Sequence, residues 1–258
     1  MLLHVHEWGD PGAPPVVCLH GVMGHGRRFR RLAEERLAPR FRVLAPDLRG
    51  HGRSGWEPPW TLAQHVEDVR ETLEASGVER ATVIGHSFGG RLTLELTAAG
   101  VVERSVLLDP VVWVPPAILL ARAEQQRPDR SFATEDEARA ERAPLSPLAP
   151  RELIDEEFRE HLVRGDDGRL RFRYSQAAVI AALGELAQRP PAWELLQVPT
   201  LLVVGAETDV TVPAVVDALR TELSDLEAVT VPGRHVVLWD AYEETADAID
   251  AFLEDAGA

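Results

Sequence analysis

Residues 81–96 read ATVIGHSFGGRLTLEL, and this stretch decides the fold of the chain. The first four residues favour a β-strand, and the run from residue 90 onward is compatible with a helix. Between them, residues 85–89 (GHSFG) match the pattern Gly-x-Ser-x-Gly. A strand that passes directly into a helix needs a tight turn, and flanking glycines permit it because they carry no Cβ. We therefore predict that Ser87 lies at the tip of this turn, with its hydroxyl above the end of a sheet.

Two backbone N–H groups are expected to point at the space above this serine. Phe88 begins the predicted helix, so its N–H has no acceptor within that helix. Val22 follows Gly21 in the loop after the apolar run 16–19, and the glycine lets the backbone approach the site. The Val22 and Phe88 N–H groups are therefore a candidate oxyanion hole.

A serine hydroxyl is a poor nucleophile at neutral pH, so it needs a base within hydrogen-bond reach and an acid that orients the base. His235 is the only one of the nine histidines that lies beyond residue 161. It follows the last predicted strand, after a Pro-Gly turn that would expose the imidazole. His235 is the candidate base.

Two aspartates are candidates for the orienting acid, because each follows a predicted strand. Asp109 comes after the strand at 105–108, and Asp209 comes after the strand at 200–205. We favour Asp209, whose loop leads into a helix; Glu207 in the same loop is a minor alternative.

Polar residues of two other loops are interpreted as loop supports and not as catalysts. His20 is expected to make a structural hydrogen bond beneath the loop that holds Val22. Asp47, Arg49 and His51 belong to the run DLRGHGRS at residues 47–54, whose glycines suit a folded loop.

Short apolar runs alternate with helical patterns over most of the chain. Strands are predicted near residues 16–20, 41–45, 81–85, 105–109, 200–205 and 227–231, and helices near 27–38, 61–76, 88–99, 212–223 and 242–254. Apolar strands that alternate with helices predict an α/β fold with a mostly parallel sheet and helices on both faces. Residues 2–8 are a candidate for an antiparallel edge strand.

The alternation stops between residues 113 and 196, where no convincing strand pattern is found. Helices are predicted near 133–142, 149–164 and 175–188, and Asp166-Asp167-Gly168 is a turn signal. Apolar residues at helical spacing argue against disorder. We predict a helical cap at residues 113–196, inserted into a core made of residues 1–112 and 197–258.

Composition excludes several classes of partner. A net charge of −15 opposes binding to nucleic acid or to an anionic membrane. No run of about 18 apolar residues exists, and the N-terminal residues lack a secretory signal pattern, so a cytoplasmic location is the default expectation. Cys18 is the only cysteine and lies in an apolar run, where a buried, inert thiol is expected.

The chain resembles an α/β-hydrolase-fold serine hydrolase of the carboxylesterase type with a helical cap. The resemblance covers nearly the whole chain outside the cap, and it rests on His20-Gly21 and on residues 47–54 (DLRGHGRS), 85–90 (GHSFGG), 205–209 (GAETD) and 233–235 (GRH). It implies Ser87 as nucleophile, Asp209 as acid, His235 as base, and the Val22 and Phe88 N–H groups as the oxyanion hole. It implies no metal and no organic cofactor. Haloalkane dehalogenases and epoxide hydrolases are similar but carry aspartate at the serine position.

The resemblance leaves the substrate open. A carboxylic ester of a small, neutral, hydrophobic molecule is the favoured hypothesis, and the small-molecule substrate is the only partner expected; the oligomeric state is undetermined. The same residues also serve carbon–carbon hydrolases of vinylogous diketones, lactonases and perhydrolases, and a small-molecule receptor on this fold is a further alternative.

Basic cap residues would favour carbon–carbon hydrolysis of an anionic substrate, and the candidates are Arg122, Arg127 and Arg173. Aromatic candidates for the pocket wall are Trp113, Phe132 and Trp193.

Overall fold

The computed structural model describes residues 1–128, 130–143, 147–211 and 213–254. Its strands, in chain order, are β1 (Val5–Trp8), β2 (Pro15–Leu19), β3 (Arg42–Pro46), β4 (Ala81–His86), β5 (Val102–Leu108), β6 (Leu162–Arg164), β7 (Leu170–Phe172), β8 (Thr200–Gly205) and β9 (Leu226–Val231). Seven of them form one sheet in the order β1-β3-β2-β4-β5-β8-β9. β1 pairs antiparallel with β3 at one edge, and the other pairs of this sheet are parallel. The mostly parallel sheet and its antiparallel edge strand are confirmed.

Helices cover both faces of the sheet. In chain order they are α1 (Arg30–Leu32), α2 (Leu62–Ala75), α3 (Phe88–Ala98), α4 (Pro116–Gln125), α5 (Glu135–Arg142), α6 (Arg151–His161), α7 (Gln176–Glu185), α8 (Pro213–Glu222), α9 (Val237–Asp240) and α10 (Tyr242–Glu254). The predicted helix at 27–38 is irregular, with a 3₁₀ turn before α1 and a π turn after it. Residue 212, at the start of another predicted helix, lies outside the described residues. Among the described helices, none combines the length and the apolar character that crossing a bilayer requires.

Alternate residues of each buried strand face opposite sides of the sheet. In β2, Val17 belongs to the apolar cluster that contains Leu92 of α3. Val16 and Cys18 belong to the cluster on the other face, with Phe252 of α10. Cys18 is fully buried, and this burial raises the pKa of its thiol, as expected for an inert cysteine. Both faces of the sheet are therefore covered at β2, which explains why the run from Val16 to Leu19 is apolar without alternation.

The segment from residue 113 to residue 196 contains α4 to α7 and also a small hairpin, so the expectation of no strand there is wrong. The predicted helix at 149–164 ends at His161, and residues 162–164 pair antiparallel with residues 170–172. The predicted turn between them brings the chain back, with Gly168 at a φ of 77°. Residues 129 and 144–146 of this segment lie outside the described residues.

Ion pairs and buried hydrogen bonds attach this segment to the sheet region. Arg28 and Arg30, which follow β2, bind carboxylates of Glu157 and Glu156 on α6. Arg91 of α3 is 1% exposed, and its guanidinium donates to the backbone carbonyl groups of residues 188 and 189. The first contact holds α6, in the middle of the segment, and the second holds the chain where it returns to β8.

Candidate active site

Ser87 lies in the tight turn between β4 and α3, with a φ of 57° and a ψ of −116°. A positive φ is uncommon for a residue with a side chain and stores strain. The glycines beside it have no room for a Cβ. A Cβ on Gly85 would lie 2.3 Å from the Gly89 carbonyl oxygen, and one on Gly89 would lie 2.0 Å from the Leu19 carbonyl oxygen. The structure therefore places Ser87 at the tip of the turn that the sequence predicts.

His235 follows β9 and approaches the serine. Its Nε2 is 2.8 Å from the Ser87 Oγ. Ser87 is preceded by the partly buried His86, and desolvation lowers the pKa of this imidazole to about 3, so its ring is neutral. Its Nε2–H donates to the His235 carbonyl oxygen over 2.9 Å, which ties the histidine loop to the end of β4. This bond was not anticipated from the sequence, although His86 stands next to the serine in the GHSFG run.

Asp109, and not Asp209, bonds to the imidazole. The Asp109 Oδ2 is 2.5 Å from the His235 Nδ1 and also accepts from the Thr208 hydroxyl over 2.7 Å. The other oxygen, Oδ1, accepts from the Gly205 N–H over 3.2 Å. The Asp109 side chain is completely buried, whereas Asp209 is exposed. Our preference for Asp209 is wrong.

Strand order explains this correction. β5 lies directly between β4 and β8, so the residue that follows β5 is next to the strand that carries Ser87. The loop after β8 contributes Thr208 to hold Asp109, while its own acids, Glu207 and Asp209, are exposed. Asp109 was the second candidate because strand order is not readable from residue spacing.

The hydrogen bonds define the proton positions in this line of groups. A buried carboxylate at Asp109 accepts the Nδ1–H of His235, so Nε2 carries the lone pair. The Ser87 hydroxyl can then donate to Nε2. This arrangement can take the serine proton during attack and return it to a leaving group.

The Val22 and Phe88 N–H groups lie beside the serine, as the sequence led us to expect. Phe88 is the first residue of α3, so its N–H has no acceptor in the helix. Val22 lines the same cavity as Ser87, and across the described residues its N–H has no hydrogen-bond acceptor. Gly21 permits this approach, because a Cβ there would lie 2.8 Å from the Ser87 Cβ. These groups are therefore available for an oxyanion, a role that remains a prediction.

The loop residues interpreted as supports do make structural bonds. The His20 Nδ1–H donates to the Gly21 carbonyl oxygen, and its Nε2 accepts from the Leu48 N–H. Burial lowers the pKa of His20 well below its ordinary value, which is consistent with this neutral tautomer. In the loop at residues 47–54, Asp47 accepts from the Gly26 N–H, Arg49 donates to the Asp68 carboxylate, and the His51 Nδ1 bonds to the Arg49 carbonyl oxygen.

A cavity of about 450 Å³ lies against Ser87 and His235. Apolar side chains on its wall come from the loop after β5 and from three helices of the 113–196 segment: Val111, Val114, Leu119, Phe158, Val179, Leu183 and Leu186. Four arginines also reach the cavity: Arg28, Arg122, Arg142 and Arg234. Of the basic candidates, Arg122 lines this cavity and Arg127 and Arg173 do not. The aromatic candidates Trp113, Phe132 and Trp193 are also absent from its wall.

One group of possible metal ligands lies outside this cavity. Over the described part of the chain, His4, His6 and Asp47 bring ligand atoms within 4.8 Å of one another. The Asp47 carboxylate already accepts the backbone N–H groups of Gly26 and Arg53. None of the three residues lines the cavity at Ser87, so they take no part in this site.

Comparison with known proteins places the chain among hydrolases. The sequence profile of the alpha/beta hydrolase family matches residues 16–248. Lipase LipV of Mycobacterium tuberculosis is 37% identical over 190 residues, which cover 72% of this chain and 72% of that protein. The 3-hydroxybutyrate-oligomer hydrolase of Cupriavidus necator is 32% identical over 253 residues, covering 88% of this chain and 84% of the relative.

Solved structures agree with this assignment. The crystal structure of E-2-(acetamidomethylene)succinate hydrolase superposes with a TM-score of 0.88 and 25% sequence identity, over 98% of this chain and 95% of that chain. An esterase from Exiguobacterium antarcticum shares the fold, with a TM-score of 0.79, 17% identity and coverage of 98% and 95%. The chain therefore belongs to the alpha/beta hydrolase family and is a hydrolytic enzyme.

Proposed function

We propose that this enzyme hydrolyses a carboxylic ester through an acyl-enzyme formed on Ser87. The observation that carries the proposal is the continuous line of hydrogen bonds from Ser87 through His235 to the buried Asp109. This line ends in a cavity large enough for a small ester, with two free N–H groups beside the serine.

The reaction follows from these groups. His235 Nε2 takes the Ser87 proton while Oγ attacks the ester carbonyl carbon, and Asp109 stabilises the imidazolium that forms. The Val22 and Phe88 N–H groups bind the oxyanion, each contributing about 2.7–4 kcal/mol to the transition state. His235 then protonates the leaving alcohol. Water, deprotonated by the same nitrogen, attacks the acyl-enzyme and releases the acid.

The ester bond is favoured over the other bonds that the same residues can cleave. The relatives include a protein named lipase and one named 3-hydroxybutyrate-oligomer hydrolase, and both names point to esters. Carbon–carbon hydrolysis, lactone hydrolysis and perhydrolysis remain the alternatives. The apolar wall beside the serine suits a hydrophobic group next to the ester, whereas the four arginines are unused by a wholly neutral substrate.

Residues 113–196 act as a cap that selects the substrate. Support comes from the cavity wall, where Leu119 of α4, Phe158 of α6 and Leu183 of α7 enclose the space that Ser87 also borders. Such an enclosure limits the size of the acyl or alcohol group and reduces access of water. Substitutions at these three positions should change the preference for acyl length more than they change the reactivity of Ser87.

A fluorophosphonate probe tests the proposal directly. We expect it to label the wild type at Ser87, and we expect Ser87→Ala to abolish both labelling and the hydrolysis of p-nitrophenyl esters. A diketone and a lactone assayed in parallel decide between the ester and the alternatives. Full esterase activity in Ser87→Ala, or labelling at another residue, would exclude this nucleophile.

A further inference from the structure

Positive charge is concentrated at the cavity in a chain that is otherwise acidic. The sequence has 42 acidic residues, 27 lysines and arginines, and a net charge of −15. Among the described residues, the wall of the cavity nevertheless carries four arginines and two carboxylates: Arg28, Arg122, Arg142, Arg234, Glu157 and Asp209. A cavity with an excess of cations inside an acidic protein attracts anions.

One of the two carboxylates already binds other side chains of the protein. Glu157 is 4% exposed, and its Oε1 is 2.5 Å from the Arg28 Nη2. Its Oε2 accepts from the Arg28 Nε over 3.1 Å and bonds to the His25 Nε2 over 2.8 Å. The other carboxylate, Asp209, is exposed. Arg28 is therefore neutralised by the protein itself, and no hydrogen bond or ion pair joins Glu157 to Arg142.

Arg142 has no such partner. Its Nη2 is buried without a hydrogen bond, and across the described residues no carboxylate forms an ion pair with it. Phe172 and Tyr174 stack against the guanidinium, with ring centroids 4.1 Å and 5.9 Å from its Cζ. Stacking covers a face of the guanidinium and leaves the in-plane N–H groups other than those of Nη2 for another ligand. Burial lowers the pKa of Arg142, but an arginine remains charged in proteins.

Two arginines near Arg142 in the sequence do form ion pairs with carboxylates. Arg139, one helical turn earlier on α5, pairs with Glu135 and Asp155, and Arg130 pairs with Glu141. Arg122 of α4 also lines the cavity and, like Arg142, forms no ion pair with a described residue. Two cations at the cap side of the cavity thus remain available in a chain rich in acids.

We propose that the substrate carries a carboxylate that binds Arg142, with Arg122 as a second cation, while its ester lies at Ser87. This inference rests on the proposed esterase function. A carboxylate can accept a charge-assisted hydrogen bond from an Arg142 N–H group at the cavity wall, while the Nη2, covered by protein atoms, takes no part. Apolar residues such as Leu119, Val179 and Leu183 line the rest of the cavity, so a hydrophobic spacer separates the two groups. The substrate class is the monoester of a dicarboxylic acid or a similar ester-acid.

A matched pair of esters tests this assignment. The monoanionic ester 4-nitrophenyl hydrogen adipate and its neutral methyl ester share the acyl chain and the leaving group and differ at the far end, where one has a carboxylate and the other a methyl ester. We expect the wild type to prefer the anionic ester in kcat/KM by about 10- to 100-fold, the range for hydrogen bonds to a charged group. Arg142→Gln should abolish most of this preference, and Arg142→Lys should restore part of it, because a point charge remains. Arg127→Gln is the control: Arg127 is 69% exposed, pairs with Glu124 and lies outside the cavity wall.

The outcomes separate this inference from the function on which it rests. If neither ester is turned over and the fluorophosphonate does not label Ser87, the esterase function fails. If wild-type enzyme hydrolyses both esters with equal kcat/KM, the function stands and the carboxylate site is wrong. A loss in Arg142→Gln that is equal for both esters would assign Arg142 a structural role instead. Competitive inhibition of the wild type by monomethyl adipate supports the site without any variant; stronger inhibition by methyl phosphate would overturn the choice of carboxylate.

Discussion

Replacing Asp109 with asparagine should inactivate the enzyme without unfolding it. Asparagine has nearly the same shape, but its amide donates hydrogen bonds as well as accepting them. The Gly205 N–H is a fixed donor to Oδ1, so the amide oxygen will take that position and the NH₂ group will take the position of Oδ2, which faces His235. The Thr208 hydroxyl, which also bonds to Oδ2, can rotate to accept from the NH₂ group. The imidazole then carries its proton on Nε2, which can no longer accept the Ser87 proton.

The size of the effect follows from this change of tautomer. We expect kcat to fall by about 10³–10⁴-fold, equivalent to about 4–5.5 kcal/mol. The free energy of unfolding should fall by only about 1–3 kcal/mol, since one charge-assisted hydrogen bond is weakened. The assay is steady-state hydrolysis of p-nitrophenyl butyrate, accompanied by thermal unfolding. Asp209→Asn is the matched control: it changes an exposed aspartate on the cavity rim and should lower kcat by less than about threefold. A larger loss in Asp209→Asn than in Asp109→Asn would refute the assignment.

Two further substitutions test the packing around the site. Gly21→Ala places a Cβ 2.8 Å from the Ser87 Cβ and should lower kcat by about 10- to 100-fold. The control is Gly184→Ala, which has open space around its helical position and should raise the unfolding free energy by about 0.5–1 kcal/mol. Equal activity of the two variants would contradict the close approach at Gly21. Glu157→Gln leaves the partly buried Arg28 and the buried His25 without their carboxylate. It should reduce the unfolding free energy by about 3 kcal/mol at pH 7, measured by urea unfolding. The control Glu243→Gln changes a side chain that is 63% exposed and should have little effect. Burial alone would raise the pKa of Glu157, but Arg28 and His25 hold it well below its usual range. The ionised Glu157 therefore stabilises the folded protein above the unfolded pKa of about 4.3, and this stabilisation is lost as pH falls through the lower folded pKa. The difference in unfolding free energy between wild type and Glu157→Gln should narrow towards pH 3. A difference that widens in acid would be inconsistent with this ion pair.

The sequence alone was sufficient for features that depend on neighbouring residues. The serine turn was predicted because its strand, its glycines and its helix occupy consecutive positions, and Gly85 and Gly89 have no space for a side chain. The strands and helices of the core were predicted because their apolar periodicity is a local property, and β8 and α10 have the predicted bounds. His235 was found because few alternatives exist near the end of the chain.

Tertiary structure alone decided the features that depend on how distant segments meet. Asp109 bonds to His235 because β5 is inserted between β4 and β8, and spacing along the chain carries no record of that order. β6 formed at the end of a predicted helix, because short strands gain their hydrogen bonds from other segments: β6 pairs with β7, and β7 also pairs with Phe132. Nothing in the sequence distinguishes Arg142 from a solvated arginine. Only the structure shows that it lies at the cavity without an ion pair, and that the nearby Glu157 binds Arg28 and His25 instead. Local pattern determined the fold and the nucleophile, whereas packing between distant segments determined the acid and the charge of the pocket.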